Sequence, residues 1–352
     1  MTPLLNPFLR ATLYFKTIQG LGKVWGSRKI AHVMYTNYVI TILEKLGVVF
    51  FLEEPRSYDE IKTFLGPVER EDLLKNLLDV AVRSGIMAQH DNGFKVNYGE
   101  IEKLKDLKKR FTQLKDVDDV YRAAERYLSK TALEILRGKS KDRGSPEVAL
   151  TYYWQENNRI FNLGREILLL LGGKRRLKGK TILDLGCRFG TEPFLILKFL
   201  DFDCSLITAD FYSTIIDECR NAEVNVDGTV KRLFDLGNIS FLTLDPKVEE
   251  PFPLDDGSVD VVYAFQILQW YPSAEKIVEE CARVLKDGGL LLVSTPLKKK
   301  PKVTTQDVFF SLVGGHGGFT VEEFDALLKR TGFTRVRTFS SAFIRAEKWS
   351  RT

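Results

Sequence analysis

The sequence predicts an α/β protein: a doubly wound, mostly parallel sheet of seven strands, joined to an N-terminal, mainly helical, winged-helix-like domain. Three observations predict this fold. After Lys180, short apolar segments alternate with amphipathic helical segments. The last segment, "FTRVRTFSSAFIRAEKW", divides into two strands around a polar turn and adds a C-terminal antiparallel hairpin. Before residue 100, two helical patterns and a hairpin follow in the winged-helix order.

The composition excludes several classes of protein. Hydrophobic content of 44% and charged content of 28% are typical of a globular domain in water. The net charge of +5 is spread among acids, which argues against a nucleic-acid partner. Four cysteines without a CxxC pair indicate a reducing compartment and predict no metal site. No apolar run reaches the length of a membrane span or of a signal peptide core. We therefore expect a cytoplasmic protein with no membrane partner.

The first part of the chain predicts a helical domain with an apolar arm. A helix is predicted from Ser27 to Leu46 and ends at Gly47. Two further helices, "SYDEIKTFLG" and "EREDLLKNLLDVAVRSGI", precede the hairpin "IMAQHDNGFKVN", with Asn92 and Gly93 at its turn. We assign residues 1–100 to the arm and winged-helix-like domain, 101–172 to a helical connector, and 173–352 to the sheet domain. The arm carries apolar residues that need burial: Leu4, Leu5, Phe8 and Leu9.

A glycine turn marks the candidate binding site. Gly186 and Gly190 separate a strand from a helix, a geometry that lets backbone N–H groups approach a ligand. Asp210 ends the next strand, where an acid accepts hydrogen bonds from ribose hydroxyl groups. The dinucleotide fingerprint fails, because its later glycine positions hold Arg188 and Thr191. The alternative is a tight turn that holds no ligand.

Four consecutive motifs resemble those of the class I S-adenosylmethionine-dependent methyltransferases. They are "ILDLGCRFG", Asp210, "LDPKVEEPFPLDDGSVDVVYAFQILQWYP" and "ARVLKDGGLLLV", and the resemblance covers about residues 178–352. More loosely, "ILEKLGVVFFLEEPRSYDEI", "LLKNLLDVAVRSGI" and "VGGHGGFTVEEFDALLKRTGF" resemble the small-molecule O-methyltransferases that have a winged-helix dimerisation domain. That resemblance implies a homodimer through the N-terminal domain and a pocket for a small-molecule acceptor, which the helical connector would help to line.

The resemblance also implies S-adenosylmethionine as the cofactor and assigns residues to it. Asp184, Gly186 and Gly190 would cradle its methionine part, and Asp210 would bind its ribose. The remaining positions would be Phe211 beside the adenine ring, Asp245 facing the adenine amino group, and Gln266 at the methyl-donor end. For Asp245 the alternative is a helix cap or a loop acid.

Arg188 stands where the family's central glycine is expected. One hypothesis is that its guanidinium group contacts the cofactor carboxylate or an acidic acceptor. The other is that the side chain points outward and pairs with a surface acid such as Glu192. We favour the outward orientation, because long charged side chains are seldom buried.

The sequence also departs from the family at the catalytic base. The histidine that the O-methyltransferases carry shortly after the fourth strand aligns with Gln269, which cannot accept a proton at neutral pH. His316, in "GGHGG", is the candidate base, whereas His32 and His90 are expected to be structural or exposed. Three aromatic residues are candidates for acceptor binding, with helix packing as the alternative: Tyr153, Trp154 and Trp270.

The predicted function is methyl transfer to a small molecule, achieved by positioning without the usual histidine base. Transfer to nitrogen, sulfur or carbon rather than oxygen is one alternative, and it fits the missing base. A winged-helix regulator that senses the cofactor is another. Acids at the start of its candidate recognition helix, "EREDLLKNLLDVAVRSG", would repel phosphate groups and argue against it.

Overall fold

The computed structural model describes residues 27–111, 115–139, 159–271, 273–298, 301–340 and 345–352. The N-terminal arm, Tyr153 and Trp154 therefore lie outside the described residues. The described elements group into two compact units. The helical unit draws on the ranges 26–155 and 302–317, and the sheet unit on 156–301 and 318–352. None of the described helices is both long and apolar enough to cross a membrane.

The helical unit contains helices and one short hairpin. Its elements are α1 (Ser27–Lys45), α2 (Val48–Phe51), α3 (Tyr58–Leu65), α4 (Glu71–Arg83), β1 (Met87–His90), β2 (Gly93–Val96), α5 (Tyr98–Phe111) and α6 (Lys115–Leu136), followed much later in the chain by the helix Thr305–Leu312. The order of α3, α4 and hairpin agrees with the sequence analysis. A winged-helix-like domain and its role in dimerisation stay predictions.

Local sequence explains where these elements begin and turn. A capping box starts α3, where Ser57 Oγ accepts from the Glu60 backbone N–H and the Glu60 carboxylate accepts from the Ser57 backbone N–H. The hairpin turn consists of residues 91 and 92, because Gly93 already pairs with His90 in the ladder. Gly93 has a φ of 130°, and a Cβ atom there would lie 2.1 Å from the Arg56 carbonyl oxygen. The turn thus differs by one residue from the predicted Asn92–Gly93 turn.

The helix Thr305–Leu312 completes the core of the helical unit. The Phe309 ring stacks on Tyr38 of α1 with 5.0 Å between the ring centroids. The Gln306 side-chain amide donates to the Tyr35 hydroxyl at 3.3 Å. The helical unit therefore does not end at residue 100: it includes α5 and α6 from the predicted connector and a segment of the predicted sheet domain.

The sheet unit alternates helices and strands, as predicted. Its elements are α7 (Arg159–Gly172), α8 (Lys174–Leu177), β3 (Lys180–Leu185), α9 (Thr191–Phe199), β4 (Cys204–Asp210), α10 (Ser213–Asn221), β5 (Glu223–Val226), β6 (Thr229–Arg232), β7 (Ile239–Thr243), β8 (Val259–Phe265), α11 (Ala274–Val284), β9 (Leu285–Ser294) and β10 (Leu297–Lys298). The helix Thr305–Leu312 is α12, and β11 (Phe319–Thr320), α13 (Val321–Arg330), β12 (Phe333–Ser340) and β13 (Arg345–Arg351) complete the chain.

Seven strands form the central sheet in the order β12-β13-β9-β8-β3-β4-β7. The five from β9 to β7 run parallel, and β13 pairs antiparallel with both β9 and β12. This confirms the predicted mostly parallel sheet with its C-terminal hairpin. From β3 the chain builds outward through β4 and β7 on one side and then through β8 and β9 on the other. The carboxyl ends of β3, β4 and β8 therefore flank a topological switch point, where sheets of this kind bind ligands.

Two parts of the sheet unit differ from the sequence analysis. The segment "KDGG", predicted as a helix end and turn, belongs to β9, which begins at Leu285 and pairs there with Val259. A second hairpin, β5 and β6, was not predicted. Its turn residues Asp227 and Gly228 have φ values of 51° and 85°, as a two-residue hairpin turn requires. The Asp-Gly pair was the signal for that hairpin in the sequence.

Candidate cofactor site

The glycine turn connects β3 to α9 at the switch point. Gly186 and Gly190 have φ values of 90° and 96°, a region that favours glycine. A Cβ atom on Gly186 would lie 2.6 Å from Ile267 Cδ1, and one on Gly190 would lie 2.7 Å from Ala222 Cβ. Each glycine therefore serves both the backbone conformation of the turn and close packing against protein. Their contact with a cofactor stays a prediction.

The surroundings of Asp184, the penultimate residue of β3, show whether the site fits S-adenosylmethionine. The side chain is fully buried, and within the described part of the chain neither carboxylate oxygen has a hydrogen-bond partner. Burial, followed by repulsion from Glu192 and Asp210, raises the pKa of Asp184 well above its usual range. Burial of a carboxylate without a hydrogen-bond donor beside it costs free energy, and a donor would remove that cost. The ammonium group of a methionine moiety would supply that donor, so the site fits the predicted cofactor.

Asp210 ends β4 beside this carboxylate and is also fully buried. Its Oδ1 accepts from the Phe211 backbone N–H at 2.7 Å, and its Oδ2 accepts from the Arg188 backbone N–H at 3.5 Å. The Phe211 ring lies 4.1 Å from the Tyr271 ring, centroid to centroid. The structure therefore brings the predicted ribose and adenine residues together, and it adds Tyr271, which the sequence analysis did not single out.

Asp245 follows the end of β7, and its carboxylate accepts hydrogen bonds from the backbone of the loop that begins there. Its Oδ1 accepts from the Lys247 backbone N–H at 3.0 Å, and its Oδ2 accepts from those of Glu249 and Glu250 at 2.6 and 3.2 Å. These bonds lower the pKa of Asp245. The geometry matches the alternative of a loop acid, and the contact with the adenine amino group stays a prediction.

Arg188 does not point outward as expected. The residue has a φ of 52°, and its side chain is buried. One guanidinium nitrogen, Nη2, donates to the carbonyl oxygens of Phe265 at 3.3 Å and Gln266 at 3.1 Å. The other, Nη1, lies 3.5 Å from Glu192 Oε1. Glu192 was the expected partner, but it too is buried, because the first turn of α9 is covered by protein.

Arg165 on α7 is a further member of the site that the sequence analysis missed. Its Nε donates to Glu192 Oε1 at 2.9 Å, and its guanidinium lies 5.3 Å from the Phe265 ring centroid. The only signal in the sequence was a charged residue inside the apolar pattern "NLGREILLLL". Three buried carboxylates therefore share the site with two buried guanidinium groups, which leaves one negative charge when all five are ionised: Asp184, Glu192, Asp210, Arg165 and Arg188.

The segment after β8 is organised around the backbone of Gln266, whose φ is 52°. Its carbonyl oxygen accepts from Gln269 Nε2 at 2.9 Å and from Trp270 Nε1 at 3.0 Å. Its side-chain amide donates to Ser294 Oγ at 3.0 Å. Gln269 and Trp270 are buried, and both fasten this loop. Gln269 thus has a positioning role that suits an amide, whereas acceptor binding by Trp270 stays a prediction.

His316 belongs to the helical unit, whereas the glycine turn belongs to the sheet unit. Partial burial, followed by the nearby charge of Arg70, lowers the pKa of His316. The imidazole is therefore neutral at neutral pH and able to accept a proton. Its role as a base stays a prediction.

Comparison with known proteins identifies the sheet unit. Residues 183–293 match the family described as a methyltransferase domain. A probable S-adenosylmethionine-dependent methyltransferase of Mycobacterium tuberculosis is 31% identical over 121 residues, which cover 34% of this chain and 37% of that protein. The matched region spans less than half of the length of that relative. The matches confirm that the chain carries a methyltransferase domain, and they support the predictions that it is an enzyme and that its cofactor is S-adenosylmethionine.

Two solved structures share the fold over nearly the entire chain. The CurJ carbon methyltransferase aligns over 98% of both chains with a TM-score of 0.73 and 16% identity. The DszA carbon methyltransferase aligns over 95% of this chain and 92% of its own, with a TM-score of 0.70 and 14% identity. At these identities the likeness shows a common fold. The resemblance to the small-molecule O-methyltransferases is not confirmed by these comparisons.

Proposed function

We propose that the chain transfers the methyl group of S-adenosylmethionine to a small-molecule acceptor, and that the accepting atom is carbon rather than oxygen. The observation that carries the methyl-transfer proposal is Asp184, a buried carboxylate without a described partner at the switch point of a methyltransferase domain. Nitrogen and sulfur acceptors are the alternatives. The comparisons lend no support to a winged-helix regulator.

Two observations favour carbon. The CurJ and DszA proteins, whose fold matches this chain almost from end to end, are both described as carbon methyltransferases. Gln269 occupies the position of the expected base, and its amide group is already bonded to Gln266 and Thr295. A hydroxyl acceptor would find no base at that position. A carbon between two carbonyl groups loses its proton far more readily than an alcohol, so water can take that proton, and the resulting enolate carbon then attacks the methyl group as its bond to sulfur breaks.

The residues of the sheet unit then have to bind S-adenosylmethionine and the acceptor and to align their reacting atoms. Bound S-adenosylmethionine supplies a methyl group that its sulfonium already activates. Asp184 would hold the ammonium group, and Asp210 the ribose hydroxyls. The loop at Gln266, fixed by Ser294, Gln269 and Trp270, would border the methyl end. Alignment of reacting groups of this kind lowers a barrier by about 7–11 kcal/mol.

Cofactor binding is tested by Asp210→Ala. We expect this substitution to weaken S-adenosylmethionine binding by at least about 1.5–3 kcal/mol, because it removes a charged hydrogen-bond acceptor. Isothermal titration calorimetry measures the loss. The matched control is Asp217→Ala, an exposed acid on α10, which should leave the affinity unchanged. Equal affinity in wild type and a folded Asp210→Ala protein would refute the ribose assignment.

The acceptor atom is tested with S-adenosylmethionine that carries a ¹³C-labelled methyl group. The protein is incubated with the labelled donor and a small-molecule fraction of cell extract, and the products are analysed by mass spectrometry and NMR. The chemical shift of the labelled methyl distinguishes attachment to carbon, nitrogen, sulfur or oxygen. We expect a carbon-bound methyl. An oxygen-bound methyl would overturn the carbon proposal, and label found only in macromolecules would overturn the small-molecule proposal.

A further inference from the structure

We propose that Arg188 is an internal competitor of the methyl donor: its guanidinium group occupies the subsite for the donor's α-ammonium group, and the donor binds by displacing it. Arg188 would thereby set how tightly the chain binds any ligand that carries an amino-acid end. The inference rests on the proposed donor function, and it concerns the position at which this turn departs from a glycine.

The position of the guanidinium group is the first argument. Arg188 lies inside the turn between β3 and α9, and its side chain is buried. Its Nη2 donates to the carbonyl oxygens of Phe265 and Gln266, which terminate β8. Because β8 is the neighbour of β3 in the sheet, these carbonyl groups border the switch-point crevice. A positive group of the chain itself therefore already lies where the donor's methionine end is expected.

The chemistry of the two cations is the second argument. A guanidinium and a primary ammonium are both pure hydrogen-bond donors, and both need carbonyl or carboxylate oxygens. The acceptors at this place are the two carbonyl groups at the end of β8 and the buried carboxylate of Asp184. No described hydrogen bond joins Arg188 to the Asp184 oxygens. An ammonium group that bonds to Asp184 gains a contact that the guanidinium does not make, which favours the exchange.

The charge balance points the same way. Among the described residues, three buried carboxylates lie with two guanidinium groups, which leaves one surplus negative charge when all five are ionised. S-adenosylmethionine carries an ammonium, a sulfonium and a carboxylate, and so brings one net positive charge, which replaces the positive charge that the displaced Arg188 guanidinium withdraws from the cluster. Movement of the Arg188 guanidinium away from the carbonyl groups makes room for this cation and reduces repulsion between like charges.

Two of the described partners of Arg188 keep other donors when its guanidinium group departs. Glu192 Oε1 accepts from Arg165 Nε at 2.9 Å, a shorter contact than the 3.5 Å to Arg188 Nη1. The Gln266 carbonyl oxygen retains its bonds from Gln269 and Trp270. Displacement of the guanidinium therefore leaves neither Glu192 nor the Gln266 carbonyl without a donor.

The test is Arg188→Gly, which suits the φ of 52° at this position. Calorimetry measures three ligands: S-adenosylmethionine, S-adenosylhomocysteine, and 5′-methylthioadenosine, which lacks the amino-acid end. We expect the variant to bind the first two about tenfold or more tighter than wild type, the fold-change that one charge-assisted hydrogen bond represents. We expect 5′-methylthioadenosine to bind equally to both proteins. Arg188→Gln is a second variant that removes the charge without a glycine, and Arg175→Gln, an exposed arginine on α8, is the control.

The other outcomes overturn the inference. Weaker binding of S-adenosylmethionine and S-adenosylhomocysteine would mean that Arg188 attracts the donor's carboxylate. Unchanged affinities would mean that the guanidinium does not compete. A change of the same size for all three ligands would mean that the substitution alters the turn as a whole. In each of these cases wild-type binding of S-adenosylmethionine leaves the proposed function standing. Absence of binding to wild type and to every variant would refute the proposed function itself, and the inference with it.

Discussion

At Asp184, the proposed role in binding comes at the expense of stability. Its raised pKa means that the folded chain holds the proton to a higher pH than the unfolded chain does. The free energy of unfolding therefore falls as the pH rises from the pKa of Asp184 in the unfolded chain to its pKa in the folded chain. Above the folded pKa this loss of stability is complete and no longer changes with pH.

We expect Asp184→Asn to raise the melting temperature at neutral pH by about 2 °C or more, because it removes an acid whose ionisation is opposed by burial and by Glu192 and Asp210. The gain should shrink as the pH falls toward the pKa of an unfolded aspartate, about 3.9. Calorimetric melting across this pH range measures the effect. Asp201→Asn is the control of opposite sign, because Lys174 and Lys178 lower the pKa of the exposed Asp201 to about 2. The same substitution at Asp184 should weaken donor binding, and a more stable variant with unchanged donor affinity would contradict the ammonium assignment.

His316 separates two ways of activating the acceptor. If His316 is the base, the rate falls with decreasing pH through a pKa below the usual value of about 6.5, because burial and Arg70 lower the pKa of His316. We expect instead an acceptor that is already nucleophilic, so that His316→Ala causes only a small loss and the acidic limb follows the pKa of the acceptor. The pH–rate profiles of both proteins decide between these mechanisms. A loss of about a hundredfold or more in the variant, with disappearance of the acidic limb, would establish His316 as the base.

The positions of Asp184, Gly186, Gly190 and Asp210 at one end of the sheet followed from the sequence, because strand ends and glycine turns leave a local signal. The direction of the Arg188 side chain did not. It depends on Glu192, which in turn is held by Arg165 from a helix more than twenty residues earlier in the chain. The spacing of residues within the turn carries no information about that contact.

At the scale of elements, the glycine turn also determines how α9 and α10 pack. Gly190 directly precedes α9, and a Cβ atom there would meet Ala222 Cβ at 2.7 Å and Leu233 Cδ1 at 2.8 Å. Its φ of 96° adds backbone strain for any other residue. The turn therefore fixes the approach of α9 to the segment that follows α10, independently of any ligand.

We expect Gly190→Ala to lower the free energy of unfolding by about 2–4 kcal/mol, since it combines a steric clash with strain in the left-handed region. Urea denaturation measures the change. Gly237→Ala is the matched control, because a Cβ atom on Gly237 meets nothing within 4 Å. A Gly190→Ala protein as stable as that control would show that the packing at this turn yields easily.

Hydrophobic patterns predicted most elements of the sheet unit with their order, since the five parallel strands are mostly apolar and turn signals separate them from the helices. The predicted boundaries of elements were wrong where pairing with a strand distant in the sequence determines where an element begins. The start of β9 is an example, because Leu285 pairs with Val259 and Leu290 with Val261, while "KDGG" between them is an irregularity in the ladder. No pattern within "KDGG" itself favours a strand, and its place in β9 depends on the pairs that flank it.

For the whole molecule, the sequence analysis predicts a homodimer through residues 1–100. The helical unit supports this with exposed apolar surface: the Phe50 side chain is 77% exposed, and the nearby Phe51 and Phe64 rings stack at 4.3 Å. The apolar residues of the N-terminal arm add to the surface that needs burial. A second copy of the chain is the partner that the resemblance implies.

Light scattering at micromolar concentration tests this prediction, and we expect the mass of two chains. Phe50→Ser should shift the equilibrium toward the monomer. Val230→Ser, which alters a 63% exposed residue in the sheet unit, should leave the mass unchanged. A wild-type protein that remains monomeric would refute the dimer.

The helix α12 belongs to the helical unit but follows most of the sheet unit in the sequence. The ribosome therefore completes the helical unit late in the synthesis of the chain. The Tyr38 ring emerges early, but Phe309, which stacks on it, is made only after five of the seven strands of the central sheet. At about 5–20 residues per second, the interval between the ends of α6 and of α12 is about 9–35 s. A chain that stops before residue 305 leaves both units unfinished, because the sheet also lacks β12 and β13. Interrupted translation therefore yields a product with exposed apolar surface, which cellular proteases remove.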